Sequence, residues 1–213
     1  MNLAAPVVIL AAGEFPLHNR PLKALRDAGC IIACDGAADN LLEHDLEPDW
    51  IVGDLDSVSS TTRERFPARL VELANQDNYD LEKAIVWAAV QGAQSVSLVG
   101  ATGLRDDHAL ANQLLLFTDF GIALELLTDS GRYGVIRGYT EIPAFSGQPV
   151  SLFAESTSVL ITTTGLAYDL SNQTLEAHHG GISNQALGEL FSIRADGGAV
   201  LVFQAYAAGS SLA

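Results

Sequence analysis

The first 127 residues alternate between two hydrophobic periods, and this alternation leaves few folds open. Apolar runs of strand length fall at 6–11, 30–34, 50–52, 69–73, 95–99 and 122–127. Between them lie segments with helical character at 21–28, 37–44 and 108–119, the first with Gly29 as its stop. A further helix presents Leu81, Ala84, Ile85, Ala88 and Ala89 on one side, with Gly92 just past its end. Strand and helix taking turns predicts an α/β domain: a Rossmann-like parallel sheet with helices on both faces. After Thr128 the pattern changes. Short apolar runs at 133–136, 150–153, 159–161, 190–193 and 200–203 are separated by Gly, Ser, Thr, Asn and Pro, and no long helical period returns. That spacing predicts a C-terminal antiparallel β-sandwich or small barrel. The boundary is expected within 129–134, dividing the chain into domains 1–130 and 131–213.

The carboxylates follow the strands. Asp35 comes after the second run, Asp54 and Asp56 after the third, Asp77 and Asp80 after the fourth, Asp106 and Asp107 after the fifth, and Asp129 after the sixth. In a parallel sheet those ends share one edge, which is where ligands bind in open α/β folds. Gathered there, acids repel and raise one another's pKa values. A hard divalent cation such as Mg2+ resolves the conflict, since it takes oxygen ligands and bridges carboxylates to phosphates. In an extended stretch Asp54 and Asp56 would point the same way, and Gly53 would let backbone approach closely. The plainer alternative stays open: Asp77 can cap the helix that follows, with Asp80 near its positive end, and Asp106 or Asp107 can cap the next.

The loop Gly100-Ala101-Thr102-Gly103-Leu104-Arg105 joins a strand to a helix and can offer backbone N–H groups to phosphate. Arg105 there suits phosphate contact, although a surface ion pair is the other reading. Neither a Walker string nor a dinucleotide fingerprint is present. A formal charge of −15, with 26 acidic against 11 basic residues, argues against a nucleic-acid partner. No apolar run reaches the length of a membrane span, and residues 1–10 lack the basic flank of a secretory leader. Cys30 and Cys34, four positions apart around the apolar pair Ile31–Ile32, read as buried free thiols, so a cytoplasmic location is expected.

Four strings in this order resemble the thiamine pyrophosphokinase family: Cys34-Asp35-Gly36-Ala37-Ala38, Pro48-Asp49-Trp50-Ile51-Val52-Gly53-Asp54-Leu55-Asp56-Ser57, Gln76-Asp77-Asn78-Tyr79-Asp80-Leu81-Glu82-Lys83-Ala84 and Arg105-Asp106-Asp107-His108-Ala109-Leu110-Ala111-Asn112. The resemblance implies a homodimer of α/β plus β-sandwich chains that transfers diphosphate from ATP to thiamine and releases AMP. It implies that Asp54, Asp56 and Asp80 bind Mg2+, and that Asp35, Gly36, Gln76, Asp77, Gly103 and Arg105 lie on the ATP side. Gln76, Arg105, Asp107 and His108 match the polar residues around the phosphates and the substrate hydroxyl. In the second domain Tyr168 stands where the family usually has a Trp that stacks on thiamine, and Ser183-Asn184 match a Ser-Asn pair; together with Asp107 they are the expected thiamine contacts, in a site shared between subunits. Tyr168 also reads as a half-buried strand aromatic, and His178-His179 as an exposed loop pair. Leu104 and Asp106 depart from the family loop, and Tyr79 stands where Thr is common. A pyrophosphokinase for another alcohol, such as a hydroxymethylpterin, and a non-catalytic nucleotide- or thiamine-binding module are the competing readings.

Overall fold

Strands β1 (Val7–Leu10), β2 (Cys30–Cys34), β3 (Trp50–Gly53), β4 (Leu70–Glu72), β5 (Ser95–Val99) and β6 (Ala123–Leu127) pair in parallel in the order β6-β5-β1-β2-β3-β4. The computed structural model describes residues 3–74 and 78–207. The central strands β1 and β2 are buried at every residue, as strands covered on both faces must be. Helices α1 (Asn19–Arg26), α2 (Ala37–Glu43), α3 (Ser60–Arg65), α4 (Asp80–Val90) and α5 (Asp106–Leu115) lie between the strands in the chain. Leu10, Leu25, Ile51, Leu41 and Val99 share one apolar cluster with Leu55, Val58 and Phe66. Each fully buried Leu or Ile there contributes roughly 1.5–3 kcal/mol.

Because β1 has β2 on one side and β5 on the other, the strand order reverses at this point. The loops after β1 and β5 therefore diverge at the carboxyl edge of the sheet. They remain laced together: Ala11 N donates to Val99 O (2.9 Å), Gly13 N to Gly100 O (2.7 Å) and Glu14 N to Thr102 O (2.9 Å). A Cβ at Gly13 would fall 2.4 Å from Gly100 O, so only glycine permits the contact.

Several sequence expectations shift. Helix α5 covers Asp106–Leu115 rather than 108–119, which places both acids in its first turn instead of on the preceding loop. Helix α3 had no hydrophobic period to announce it. It exists because Ser59 caps Thr62 N (3.2 Å) while Asp39, about twenty residues upstream, accepts from Ser59 N (3.0 Å), Ser59 Oγ and Thr62 Oγ1. Cys30 and Cys34 are buried and free. Burial, with Asp49 nearby, pushes the Cys30 thiol up to about 11, and burial followed by Asp80 and Asp35 raises Cys34 further.

The described residues up to 129 form one compact unit and 130–207 another. The second is wholly antiparallel, from β7 (Gly131–Pro143), β8 (Pro149–Ala154), β9 (Leu160–Thr164), β10 (Gly181–Gln185) and β11 (Leu190–Ala205). The runs expected at 190–193 and 200–203 are one strand, and β10 went unread because Gly181–Gln185 carries only one large apolar residue. Strand β11 pairs with β7 along its length, and its register slips between Ala195 and Val200. On its free side it takes β9 before the slip and β8 after it. One strand thus serves two sets of partners around a core containing Val150, Leu152, Ile161, Phe191, Ile193 and Val202. The fold is mixed α/β with parallel and antiparallel strands.

Candidate functional site

Asp35 is the first residue past β2 and Asp54 the first past β3, so parallel pairing brings them to one edge. Asp35 has a left-handed backbone (φ 46°), is only 3% exposed, and leaves Oδ1 without a hydrogen-bond partner. Its Oδ2 receives a long bond from Ser57 N (3.4 Å). Carboxylate oxygens of Asp35, Asp54 and Asp56 all lie within 4.8 Å of one another.

The route by which Asp54 and Asp56 meet differs from the extended geometry the spacing suggested. Leu55 between them is left-handed (φ 66°), and its side chain is buried in the core. The chain therefore turns at Leu55, and Asp56 N reaches back to Asp54 Oδ1 at 3.4 Å. Gly53 matters as expected: a Cβ there would stand 3.0 Å from Asp35 Cβ and 3.3 Å from Asp80 Oδ1.

Asp80 opens α4, where its charge suits the positive end of the helix. Its Oδ1 bonds Lys83 Nζ at 3.0 Å, and the same ammonium stands 3.8 Å from Asp54 Oδ2. Lys83 is 7% exposed. Sequence reasoning missed it, although a lysine three residues after Asp80 on the apolar face of a helix is the signal that would have found it. Gln76 and Asp77 lie outside the described residues.

The electrostatics divide the acids. Burial raises the Asp35 carboxyl to about 6 against the help of the Ser57 N–H, and Asp80, Asp54 and Asp56 add to the rise. Asp54 is held below the ordinary carboxylate range, first by the Asp56 N–H and then by Lys83. A buried carboxyl with an unpartnered oxygen, set among ionised neighbours, suits a hard divalent cation with oxygen ligands.

Beyond β5, Gly100, Gly103 and Leu104 are all left-handed (φ 64°, 78° and 56°). A Cβ at Gly103 would collide with the Glu14 side chain at 2.6 Å. Arg105 occupies the N-cap position of α5 without a side-chain cap bond, so Asp106 and Asp107 stand inside the first turn and neither caps the helix. Arg105 grips Asp107 through Nε (3.1 Å) and Nη2 (2.6 Å), both groups being exposed. Chiefly through that bond the Asp107 carboxyl is pulled down to about 2. While so paired, Asp107 is a poor proton acceptor. His108 is exposed in the same turn. Gly36 sits at the N-cap of α2, where a Cβ would lie 3.1 Å from Ser57 O.

In the second unit Tyr168 is no strand aromatic: it stands 72% exposed on the connection from β9 to β10. Ser183 is exposed with φ 63°, and Asn184 beside it is buried against the Tyr168 backbone. His178 and His179 are exposed, His178 Nδ1 lying 3.0 Å from Ala154 O. Among the described residues no helix is long and apolar enough to cross a membrane.

Comparison with known proteins points one way. Residues 22–126 match the family model of the thiamin pyrophosphokinase catalytic domain. A thiamine pyrophosphokinase of Bacillus subtilis is 34% identical over 90 residues, 40% of this chain and 42% of that protein. Thiamin pyrophosphokinase 1 of Caenorhabditis elegans is 28% identical over 127 residues, 54% of this chain and 52% of that one. The chain thus spans about half the length of the curated relatives it matches. The crystal structure of thiamin pyrophosphokinase from Geobacillus thermodenitrificans superposes with a TM-score of 0.80 at 25% identity, covering 96% of this chain and 99% of the other. That of the Bacillus subtilis thiamine pyrophosphokinase gives 0.78 at 25% identity, covering 93% and 98%.

Proposed function

Since the chain belongs to the thiamine pyrophosphokinase family, we propose that it transfers a diphosphate from ATP to thiamine, giving thiamine diphosphate and AMP. The observation that carries the reading is the meeting of Asp35, Asp54 and Asp56 at the carboxyl edge of the sheet, with one buried carboxylate oxygen unpartnered. Asp54 and Asp56, with Asp80 alongside, would hold Mg2+ there. Bound at that edge, the ion supplies positive charge for the polyphosphate.

The thiamine hydroxyl oxygen forms a bond to the β-phosphorus of ATP. The bond from that phosphorus to the α,β-bridging oxygen breaks, and AMP leaves with the oxygen. Positioning and charge neutralisation contribute most of the rate in such a transfer. Arg105 donates to the transferred phosphoryl oxygens, and in doing so it releases Asp107. The pKa of Asp107 then returns toward the ordinary carboxylate range, and it accepts the hydroxyl proton with His108 beside it. Asp35, Gly36, Gln76, Asp77 and Gly103 complete the ATP side. Tyr168 offers a ring face to the thiazolium cation, and Ser183 and Asn184 belong to the same end.

In this reading 1–130 is the Rossmann-like nucleotide- and metal-binding domain and 131–213 an antiparallel β-sandwich that binds thiamine. The working enzyme is a cytoplasmic homodimer with thiamine at the subunit interface, an assembly that sedimentation would weigh. The test incubates the protein with ATP, Mg2+ and thiamine, and resolves the products by chromatography. AMP and thiamine diphosphate should appear together. Asp54→Ala should keep the fold and lose roughly a thousandfold in rate, the several kcal/mol a bound metal contributes. Normal AMP release by that variant would remove the metal assignment. Turnover of hydroxymethylpterin in place of thiamine would move the substrate, and binding without AMP would make the protein a non-catalytic module.

A further inference from the structure

Tyr168 is exposed on a connecting loop, yet its backbone is held on both sides by one buried side chain. Its N–H donates to Asn184 Oδ1 (3.1 Å), and its carbonyl accepts from Asn184 Nδ2 (2.8 Å). The same Oδ1 also accepts from Gln185 N (2.9 Å). Asn184 is 7% exposed. It reaches the loop because β10 bulges: the register with β8 shifts between Gly181 and Asn184, and Ser183 takes the left-handed backbone. A bulge re-aims the side chains that follow it. Here it leaves Ser183 exposed and turns Asn184 inward. A left-handed serine is costly, and such strain persists only where the surroundings enforce it.

The rest of the loop is fastened as well. Ala167 N bonds Gln185 O (2.8 Å) and Leu187 N bonds Gly165 O (2.9 Å). The Asp169 carboxylate accepts from Gly165 N (3.3 Å), Leu166 N (3.1 Å) and Thr163 Oγ1 (3.0 Å). Leu166 is buried in the core of the unit. The exposed ring therefore stands on a rigid mount.

We infer that Asn184 is a positioning residue, holding Tyr168 as a preorganised aromatic platform for a flat cationic ring and making no direct contact with that ligand. This rests on the thiamine reading above, in which the cationic ring is the thiazolium. A side-chain amide accepts through its oxygen and donates two N–H groups. In Asn184 the oxygen serves two backbone donors and one N–H serves a carbonyl, which leaves a buried group little to offer a ligand. Cation–π attraction depends on where the ring face stands, and a loop fixed beforehand loses less entropy on binding.

The test is a double-mutant cycle in the full-length protein with Asn184→Ala, Tyr168→Ala and the pair. Asn184→Ala should raise KM for thiamine roughly tenfold through loss of the backbone clamp, with kcat and the KM for ATP within about twofold of wild type. In the Tyr168→Ala background the same change should add nothing, because Asn184 acts through the tyrosine. Additive losses would mean that Asn184 touches the ligand itself, and would overturn the inference. Asn184→Asp, which keeps the acceptor oxygen and removes the donor, should give a smaller rise; it also runs the cycle should the alanine variant not fold. Hydrogen exchange gives a reading independent of turnover: the Tyr168 amide should be protected despite its exposed side chain, and free exchange in the wild type would refute the clamp. A wild-type protein that makes no thiamine diphosphate would sink the proposed function, and the exchange result would still decide whether the mount exists.

Discussion

Replacing Asp35 by Asn isolates the electrostatic cost at the centre of the site. The carboxyl is raised from an ordinary value of 3.8 to about 6, so the folded protein holds its proton more tightly than the unfolded chain. Below the unfolded value both states are protonated, and the group takes nothing from stability. As pH rises through the window between the two values the unfolded chain loses its proton first, and stability falls. Above the folded value the loss is complete. Two pKa units correspond to about 3 kcal/mol. The Ser57 N–H already enters that net shift, and an Asn amide oxygen can still accept it, so we expect a gain of about 3 kcal/mol. Asp35→Asn should therefore be more stable than wild type by that amount at pH 7.5 in EDTA, and equal to it near pH 3.5. Millimolar Mg2+ should stabilise both proteins through Asp54, Asp56 and Asp80 and narrow the difference, because the ion's charge beside Asp35 favours the ionised carboxylate of the wild type. Equilibrium urea unfolding at the two pH values, with and without the ion, measures each quantity. Parallel pH dependences for the two proteins would refute the claim that burial of an unpartnered carboxylate taxes this fold.

Two leucines in the same backbone region should respond oppositely to glycine. Leu104 is 78% exposed with φ 56°, so Leu104→Gly relieves backbone strain at no packing cost and should stabilise by about 0.5–1 kcal/mol after the added entropy of the unfolded chain. Leu55 has φ 66° but is 4% exposed, so Leu55→Gly should destabilise by about 2 kcal/mol as its burial is lost; thermal unfolding of both variants checks the pair. Lys83→Met should destabilise the ion-free protein by about 2 kcal/mol, since Asp80 and Asp54 lose the ammonium between them. Mg2+ should recover most of that loss in a calorimetric scan.

Much of the sheet was legible because each parallel strand buries both faces and so announces itself as an apolar run. The acids after those runs were legible as a group for the same reason: parallel pairing carries every strand end to one edge. The meeting of Asp54 and Asp56 was read correctly and for the wrong cause, because a left-handed Leu55 leaves no trace in the residue order. Helix α3 and strand β10 were invisible. One depends on Asp39 reaching across from another helix, and the other on hydrogen bonds to β8 in a segment with little apolar content.

Read alone, the order of residues determined where apolar segments begin and end, which acids follow them, and that the grammar changes after Thr128, since these depend on neighbours a few positions apart. Only the tertiary structure decided that Lys83 stands between Asp54 and Asp80, that one oxygen of Asp35 is buried without a partner, and that Asn184 holds the backbone of Tyr168. Those contacts join residues 3 to 29 positions apart through turns, bulges and burial. The energy of each depends on where the rest of the chain has already packed.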